Sequence, residues 1–292
     1  MKVAVIGGAG RMGRLFARYF AQRGNEVIIS DINWEEAVRF AGSIDAEATQ
    51  SNTEAAGSSE LIVICTPIMD VPRVVDEIIH DIRESTIVLE ISSIKSPVIS
   101  AMRMIAEAGG RPLSIHPLFG PGAGDPSGER MALIPISDEK SEVELARSIF
   151  PNVNIIPVDL ERHDRIMALT LSLTHLINVV FASIISEENI AELKRIGGKT
   201  FRIQLLLCES VMTESPDLSA AIQMSNPFAI EYLERFVSKY DRLLKYICEG
   251  RKGEFIKFHR EVYSALSHHE DLSDSYRSMY RALRAIGDEG EN

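Results

Sequence analysis

Cysteine is scarce in this chain. Cys65, Cys208 and Cys248 are odd in number and far apart among 292 residues, which excludes a disulfide framework and any close-spaced metal knuckle. A reducing, cytoplasmic setting is the expectation, with no metal centre. Positive charge is also short, since 31 Lys and Arg stand against 42 Asp and Glu for a net charge of -11. Such a surface repels polyanions, so nucleic acid is disfavoured as a partner. Long apolar runs are missing as well. The opening segment reaches Gly7 too soon for a secretory leader. No uninterrupted apolar run approaches the ~18 residues of a bilayer span, residues 179–185 coming closest, and no membrane association is expected. Core-forming residues are not lacking. At 45% hydrophobic and 25% charged the composition is that of a globular protein, and the length suggests two domains rather than one.

From Lys2 to about Val158, short β-branched runs alternate with helical patterns, the rhythm of βαβ units around a parallel sheet. Strands are expected over 3–6, 27–30, 61–65, 87–91 and 113–116, nearly all apolar because helices cover both faces. Runs at 131–136 and 153–158 read as edge strands, the first containing Pro135. Beyond Asp159 only helical patterns follow. The expected fold is therefore an α/β, Rossmann-type doubly wound sheet over 1–159, then an all-helical domain over 160–292. Residues 160–186 read as one long, largely buried helix, with further helices over 188–195, 201–212, 227–249 and 253–285. A short polar tail closes the chain from Gly287 to Asn292.

The strongest motif is Gly8-Ala9-Gly10-Arg11-Met12-Gly13, placed directly after the first strand and opening a helix. The first glycine permits the tight turn, the second lets backbone approach a pyrophosphate, and the third allows helix to pack on strand, while the helix N-terminus supplies amide donors. Asp31 closes the second strand 18 positions after Gly13, near the offset of a carboxylate that reads a ribose 2′-hydroxyl. It would repel a 2′-phosphate, and Ile32 and Asn33 bring no arginine to attract one, so NAD is favoured over NADP. An N-cap is the other role open to Asp31, and Asn33 could fill that role instead.

Ligands of open α/β sheets sit beyond the carboxyl ends of the strands. Thr66 and Pro67, expected like residues 8–13 and Asp31 to bind the cofactor, follow the third expected strand, Ser92, Ser93 and Lys95 the fourth, and His116 closes the fifth ahead of a Gly/Pro-rich loop over 117–128. His116 alone among them exchanges a proton near neutrality. Ser172, His175 and Asn178, spaced by three, form a polar stripe on the apolar helix. Such a stripe faces a cleft or satisfies contacts between helices. Arg202 stands at the start of a later helix, where a guanidinium can grip a carboxylate in two-pronged fashion.

With these segments in place, GGAGRMG at 7–13, EISSIK at 90–95, SIHPLFGP at 114–121, ERHDRIM at 161–167, LTH at 173–175 and TFRIQL at 200–205, the chain resembles the prephenate dehydrogenase family of tyrosine biosynthesis. The resemblance runs over nearly the whole chain. It implies hydride transfer from C4 of prephenate to NAD with loss of the ring carboxylate as carbon dioxide, giving 4-hydroxyphenylpyruvate. It makes His116 the acceptor or base at the 4-hydroxyl, with Ser93 orienting it and Lys95 supporting the site as catalytic groups. His175, Arg202 and Ser172 become substrate-binding residues, and the helical domain a homodimer interface that closes the cleft. One departure is Ser210, where some bifunctional relatives carry a further arginine. Those relatives also begin with a chorismate mutase domain, whereas this sequence starts at its nucleotide-binding strand, so a monofunctional form is expected.

Three alternatives stand beside that reading. Arogenate dehydrogenase performs the same chemistry on an amino acid side chain. A 3-hydroxyacid dehydrogenase of similar build calls for a lysine on the long helix, and 160–186 contains none. A non-catalytic NAD-binding sensor would have lost the chemical residues, yet His116, Ser93, His175 and Arg202 are all present.

Overall fold

The structure, a computed structural model, describes residues 1–285. The tail expected over 287–292 lies outside the described residues. Two units emerge, one formed by Met1–Ala168 with Asp217–Pro227, the other by Leu169–Pro216 with the chain from Phe228 onward. The division therefore falls after Ala168 rather than at 159, and a short later segment returns to the first unit.

The first unit holds an eight-stranded sheet: β1 (Lys2–Ile6), β2 (Glu26–Ser30), β3 (Glu47–Thr49), β4 (Leu61–Ile64), β5 (Ile87–Glu90), β6 (Arg111–Pro117), β7 (Arg130–Ile134) and β8 (Asn154–Pro157). Their order is β3-β2-β1-β4-β5-β6-β7-β8. All neighbouring pairs are parallel except β6 with β7. The chain winds outward from β1 in both directions, so the switch point lies between β1 and β4, where open sheets of this class take ligands.

Two expectations about strands are corrected. The run at 131–136 is not an edge: β7 sits between β6 and β8 and ends at Ile134, which leaves Pro135 outside the hydrogen-bonded ladder. The far edge is β3, whose short sequence Glu-Ala-Thr is too polar to show as an apolar run.

Helices cover both faces, so Val3, Val5, Val63, Leu89, Leu113 and Ile115 are completely buried. The first helix, Arg11–Ala21, buries Phe16 and Phe20 against Phe150, with the Phe16 and Phe150 rings 6.0 Å apart. The Tyr19 hydroxyl donates to the Ile149 carbonyl at 2.9 Å. That aromatic packing fixes the helix whose N-terminus carries the glycine loop.

Two glycines make the close approach possible. Gly7 adopts φ +77°, and a Cβ there would lie 2.8 Å from the Cys65 carbonyl carbon at the end of β4. A Cβ on Gly13 would lie only 2.2 Å from the Gly7 carbonyl oxygen. Helix and loop thus touch backbone to backbone.

In the second unit, helices Thr174–Ile185 and Lys199–Met212 pack together, joined by Phe181 against Phe201 and by Gln204 donating to Asn178 Oδ1 at 2.8 Å. The pattern read as one helix over 253–285 is broken into Lys252–Ser267 and Ser275–Ala285, and an additional helix spans Pro216–Met224. The long helix covers Leu160–Ile185 but is interrupted by a π-helical turn at Ala168–Leu173. It is not largely buried. Ile166, Leu169, Val180 and Ile184 are all exposed in the single chain. By length and composition it meets the requirement for a bilayer span, with mean hydropathy 1.9 over its most apolar window, a property that buried helices of soluble proteins share.

Gly13→Ala should cost about 1–3 kcal/mol through overpacking against the Gly7 carbonyl, measured as a lowered denaturant midpoint. An unchanged midpoint would show that helix and loop can separate.

Candidate active site

The glycine loop has the backbone geometry expected of a dinucleotide phosphate site. Gly10 is the N-cap of the first helix and no side chain caps it, an arrangement that suits an anion at the helix N-terminus. Asp31 is not the N-cap of the next helix. Asn33 holds that place and accepts from the Glu36 amide. The Asp31 carboxylate instead accepts from the Ala9 amide and from the Asn33 amide, both at 2.9 Å. It is thereby tied to the glycine loop, and each oxygen keeps a lone pair for a ribose hydroxyl. Arg14, whose guanidinium is held by the Ala9 carbonyl and Glu36, is already engaged.

A second group of polar residues lies at the ends of β5 and β6. Lys95 is fully buried; its ammonium donates to Glu90 Oε1 at 2.6 Å and to the Ile115 carbonyl at 2.7 Å. Glu90 also accepts from the Ser114 hydroxyl and from the Ser92 amide. Lys95 was expected among the catalytic groups. Its ammonium is instead turned into the protein, where it ties the ends of β5 and β6 together. Ser93 lies half-buried between these residues, and its side chain makes no hydrogen bond among the described residues.

His116 Nδ1 lies 3.0 Å from His163 Nε2, and His163 Nδ1 lies 2.7 Å from Asp164 Oδ1. Asp164 further accepts from the Lys95 amide at 3.1 Å, the Ser96 amide at 2.9 Å and the Ser96 hydroxyl at 2.5 Å. Asn226, from the returning segment, donates to the Asp164 main-chain carbonyl at 2.8 Å.

The charges of this chain follow from its contacts. Burial alone would raise the Asp164 carboxyl, but the hydrogen bonds from His163, Ser96 and Lys95 win and hold it below the usual carboxylate range. An ionised Asp164 accepts a hydrogen bond from His163 Nδ1, which therefore keeps its proton. With a neutral His163 its Nε2 is an acceptor, His116 donates from Nδ1, and the His116 Nε2 keeps a lone pair. Burial pushes the His116 ring well below its ordinary value, with the Lys95 charge adding to the shift and Asp164 opposing it. The ring is neutral at physiological pH, with a fixed tautomer. Those are the properties a general base requires.

Ser172, His175 and Arg202 belong to the second unit. Ser172 is wholly buried in the π-helical turn. The stripe expected from its spacing with His175 and Asn178 assumed α-helical geometry, and the π turn shifts that phase. Asn178 resolves to a contact between helices, accepting from Gln204 and from the Cys208 thiol. His175 is half-buried, its Nδ1 has no hydrogen-bond partner among the described residues, and burial lowers its basicity against the pull of Glu214. Arg202 donates to the Lys194 carbonyl at 3.3 Å.

His163, Asp164, Glu90 and Ser114 were not singled out from sequence, although each lies inside a motif quoted for the resemblance. The available signal was the adjacent His-Asp pair at 163–164, titratable residues at the start of an otherwise apolar helix.

Comparison with known proteins supplies a family context. Residues 2–93 match a family model described as NADP oxidoreductase, coenzyme F420-dependent, and residues 159–261 match one described as prephenate dehydrogenase, dimerization domain. The chain is 26% identical, over 98% of its length, to the probable arogenate/prephenate dehydrogenase of Methanocaldococcus jannaschii. It is 23% identical, over 87% of its length, to the T-protein of Enterobacter agglomerans. It spans 64% of the length of each of those relatives. The fold is similar to the crystal structure of prephenate dehydrogenase from A. aeolicus in complex with hydroxyphenyl propionate and NAD+, with a TM-score of 0.74 at 18% identity over 92% of this chain and 98% of that one.

Two measurements test the relay. Nitrogen-15 NMR at neutral pH should find His116 protonated at Nδ1 and bare at Nε2, with both tautomers appearing in Asp164→Asn; an Nε2–H in the unaltered protein would overturn the assignment. Because the folded His116 resists protonation, the unfolded chain binds the extra proton below its own pKa of about 6.5. Stability should therefore fall as pH drops through that region, and His116→Asn should make the fall shallower in urea titrations.

Proposed function

Because this chain belongs to the prephenate/arogenate dehydrogenase family, we propose that it oxidatively decarboxylates prephenate, with NAD as hydride acceptor. The observation that carries the reading is the His116–His163–Asp164 relay, which leaves an unprotonated Nε2 at the end of β6, on the same sheet rim as the glycine loop.

The nicotinamide, when bound, supplies the hydride acceptor. The glycine loop holds its pyrophosphate, and Asp31 selects a ribose with a free 2′-hydroxyl. His116 Nε2 accepts the proton of the substrate's 4-hydroxyl as hydride leaves C4 and the ring carboxylate departs as carbon dioxide. The same proton then returns to the phenolate oxygen of the new aromatic ring. The ionised Asp164, acting through His163, offsets the positive charge on His116 during the interval. Ser93 orients the hydroxyl, while Arg202, His175 and Ser172 bind the substrate's carboxylates and keto group. On arogenate the same steps apply, and the side-chain ammonium is the only difference to be read.

Two copies pair through the helical part. Ile230, Val237, Leu244 and Ile247 are exposed along Ala229–Cys248, an apolar face beyond what a lone soluble chain ordinarily shows. The reading also sets the protein in the cytoplasm, in keeping with three free thiols among the described residues.

The test is formation of reduced cofactor from prephenate or arogenate, each with NAD or NADP. Turnover is expected with NAD, and none with any pairing would sink the enzyme reading. His116→Asn should lower kcat by about 10²–10⁴-fold with KM nearly unchanged. In the unaltered enzyme kcat/KM should hold through pH 6.5 and fall only well below it, where the buried His116 becomes protonated. Asp31→Ala should raise KM for NAD and narrow its preference over NADP.

A further inference from the structure

Two hydroxyls in the first unit are buried without a hydrogen bond. Thr66 Oγ1 and Ser92 Oγ are both inaccessible to solvent and find no partner among the described residues. A hydroxyl left in that state is costly, and native folds rarely keep one without cause. Neither arises from loose packing. The Ser92 amide donates to Glu90 Oε2 at 2.7 Å, which fixes its backbone, and the Thr66 backbone lies against Gly7, where a Cβ would approach its nitrogen to 2.9 Å.

Their places in the sheet are informative. Ile6 pairs with Ile64, Ile64 with Glu90, and Glu90 with Ser114. Continuing that register by two residues puts Gly8, Thr66, Ser92 and His116 in one row along the carboxyl ends of β1, β4, β5 and β6. Adjacent strands are about 4.8 Å apart, so the row from the glycine loop to His116 is about 14 Å long. Asp31 lies on the other side of β1, at the end of β2. A dinucleotide with its pyrophosphate at the glycine loop and its adenosine ribose at Asp31 must extend its other half over β4 and β5 to meet a substrate at His116.

We propose that Ser92, assisted by Thr66, hydrogen-bonds the nicotinamide riboside half of the cofactor and so fixes the hydride-accepting ring beside His116. The inference rests on the nicotinamide reading above and adds Ser92 as a positioning residue for it. Both hydroxyls donate and accept, as required by a ribose hydroxyl or a carboxamide. Their loss of partners in the free protein is then the cost of a site prepared for its ligand.

The experiment measures binding, not turnover. NADH affinity is read from its fluorescence and ADP affinity from calorimetry, for the unaltered protein, Ser92→Ala and Thr66→Val, with Tm recorded for each. Ser92→Ala should weaken NADH about tenfold, leave ADP unchanged because ADP lacks the nicotinamide half, and leave Tm level or higher because an unsatisfied hydroxyl is removed. Thr66→Val should act in the same direction. Equal weakening of NADH and ADP, or a lowered Tm with unchanged NADH affinity, would overturn the proposal. If the unaltered protein binds no NADH, the cofactor reading falls and this inference with it. NADH binding without turnover of either acid would refute only the substrate.

Discussion

The arrangement depends on one buried carboxylate. Asp164 collects hydrogen bonds from His163, from the Lys95 amide, and from the amide and hydroxyl of Ser96. A buried carboxylate without partners would take up a proton instead of keeping its charge. Here the donors come from separate stretches of chain, and each is oriented by the charge it serves. The segment after β5 is pinned to the start of the long helix, and Asn226 ties the returning segment to the same residue. The tautomer of His116 follows two bonds away.

Lys95 links this charge to a second one. Its amide serves Asp164 while its ammonium serves Glu90, which also takes the Ser114 hydroxyl and the Ser92 amide. A buried ion pair of this kind contributes little net stability, but removing one partner leaves an uncompensated charge. Its value lies in geometry. It joins the ends of β5 and β6 beside the Ile115 carbonyl, one residue before His116. The arrangement also bears on how an acidic protein of net charge -11 can bind anionic ligands. Lys95 is neutralised within the fold, so in the first unit attraction for a phosphate comes from the uncapped N-terminus of Arg11–Ala21.

The legible parts of the fold were those written in local pattern. Strands β1, β2, β4, β5 and β6 announce themselves as apolar runs because helices cover both sheet faces, and the glycine motif is a matter of backbone sterics within a few residues. β3 escaped because three residues reading Glu-Ala-Thr carry no periodicity. β7 was taken for an edge because strand order is a tertiary property. The apolar circumference of Leu160–Ile185 suggested burial, yet much of it is exposed in the single chain, since periodicity cannot distinguish a core from a surface awaiting a partner. Within the site, His116 was legible from its strand-end position. His163 was not, because 47 residues separate the two rings and only folding brings His116 Nδ1 and His163 Nε2 to 3.0 Å. Lys95 was legible as important but not in its role, because a sequence does not say which way an ammonium turns.

The second imidazole has a physical reason. A histidine paired directly with a carboxylate gains proton affinity from the adjacent negative charge. Placing His163 between His116 and Asp164 keeps the tautomer control that the carboxylate exerts and distances its charge, so burial and the Lys95 charge dominate and His116 stays neutral. For the proposed chemistry that compromise suits the proton's path. The proton leaves an oxygen and returns to the same oxygen once the ring is aromatic, so a base that bound it tightly would slow the second step as much as it helped the first. A base of low affinity, held in one tautomer and relieved of charge through a second ring, serves both directions.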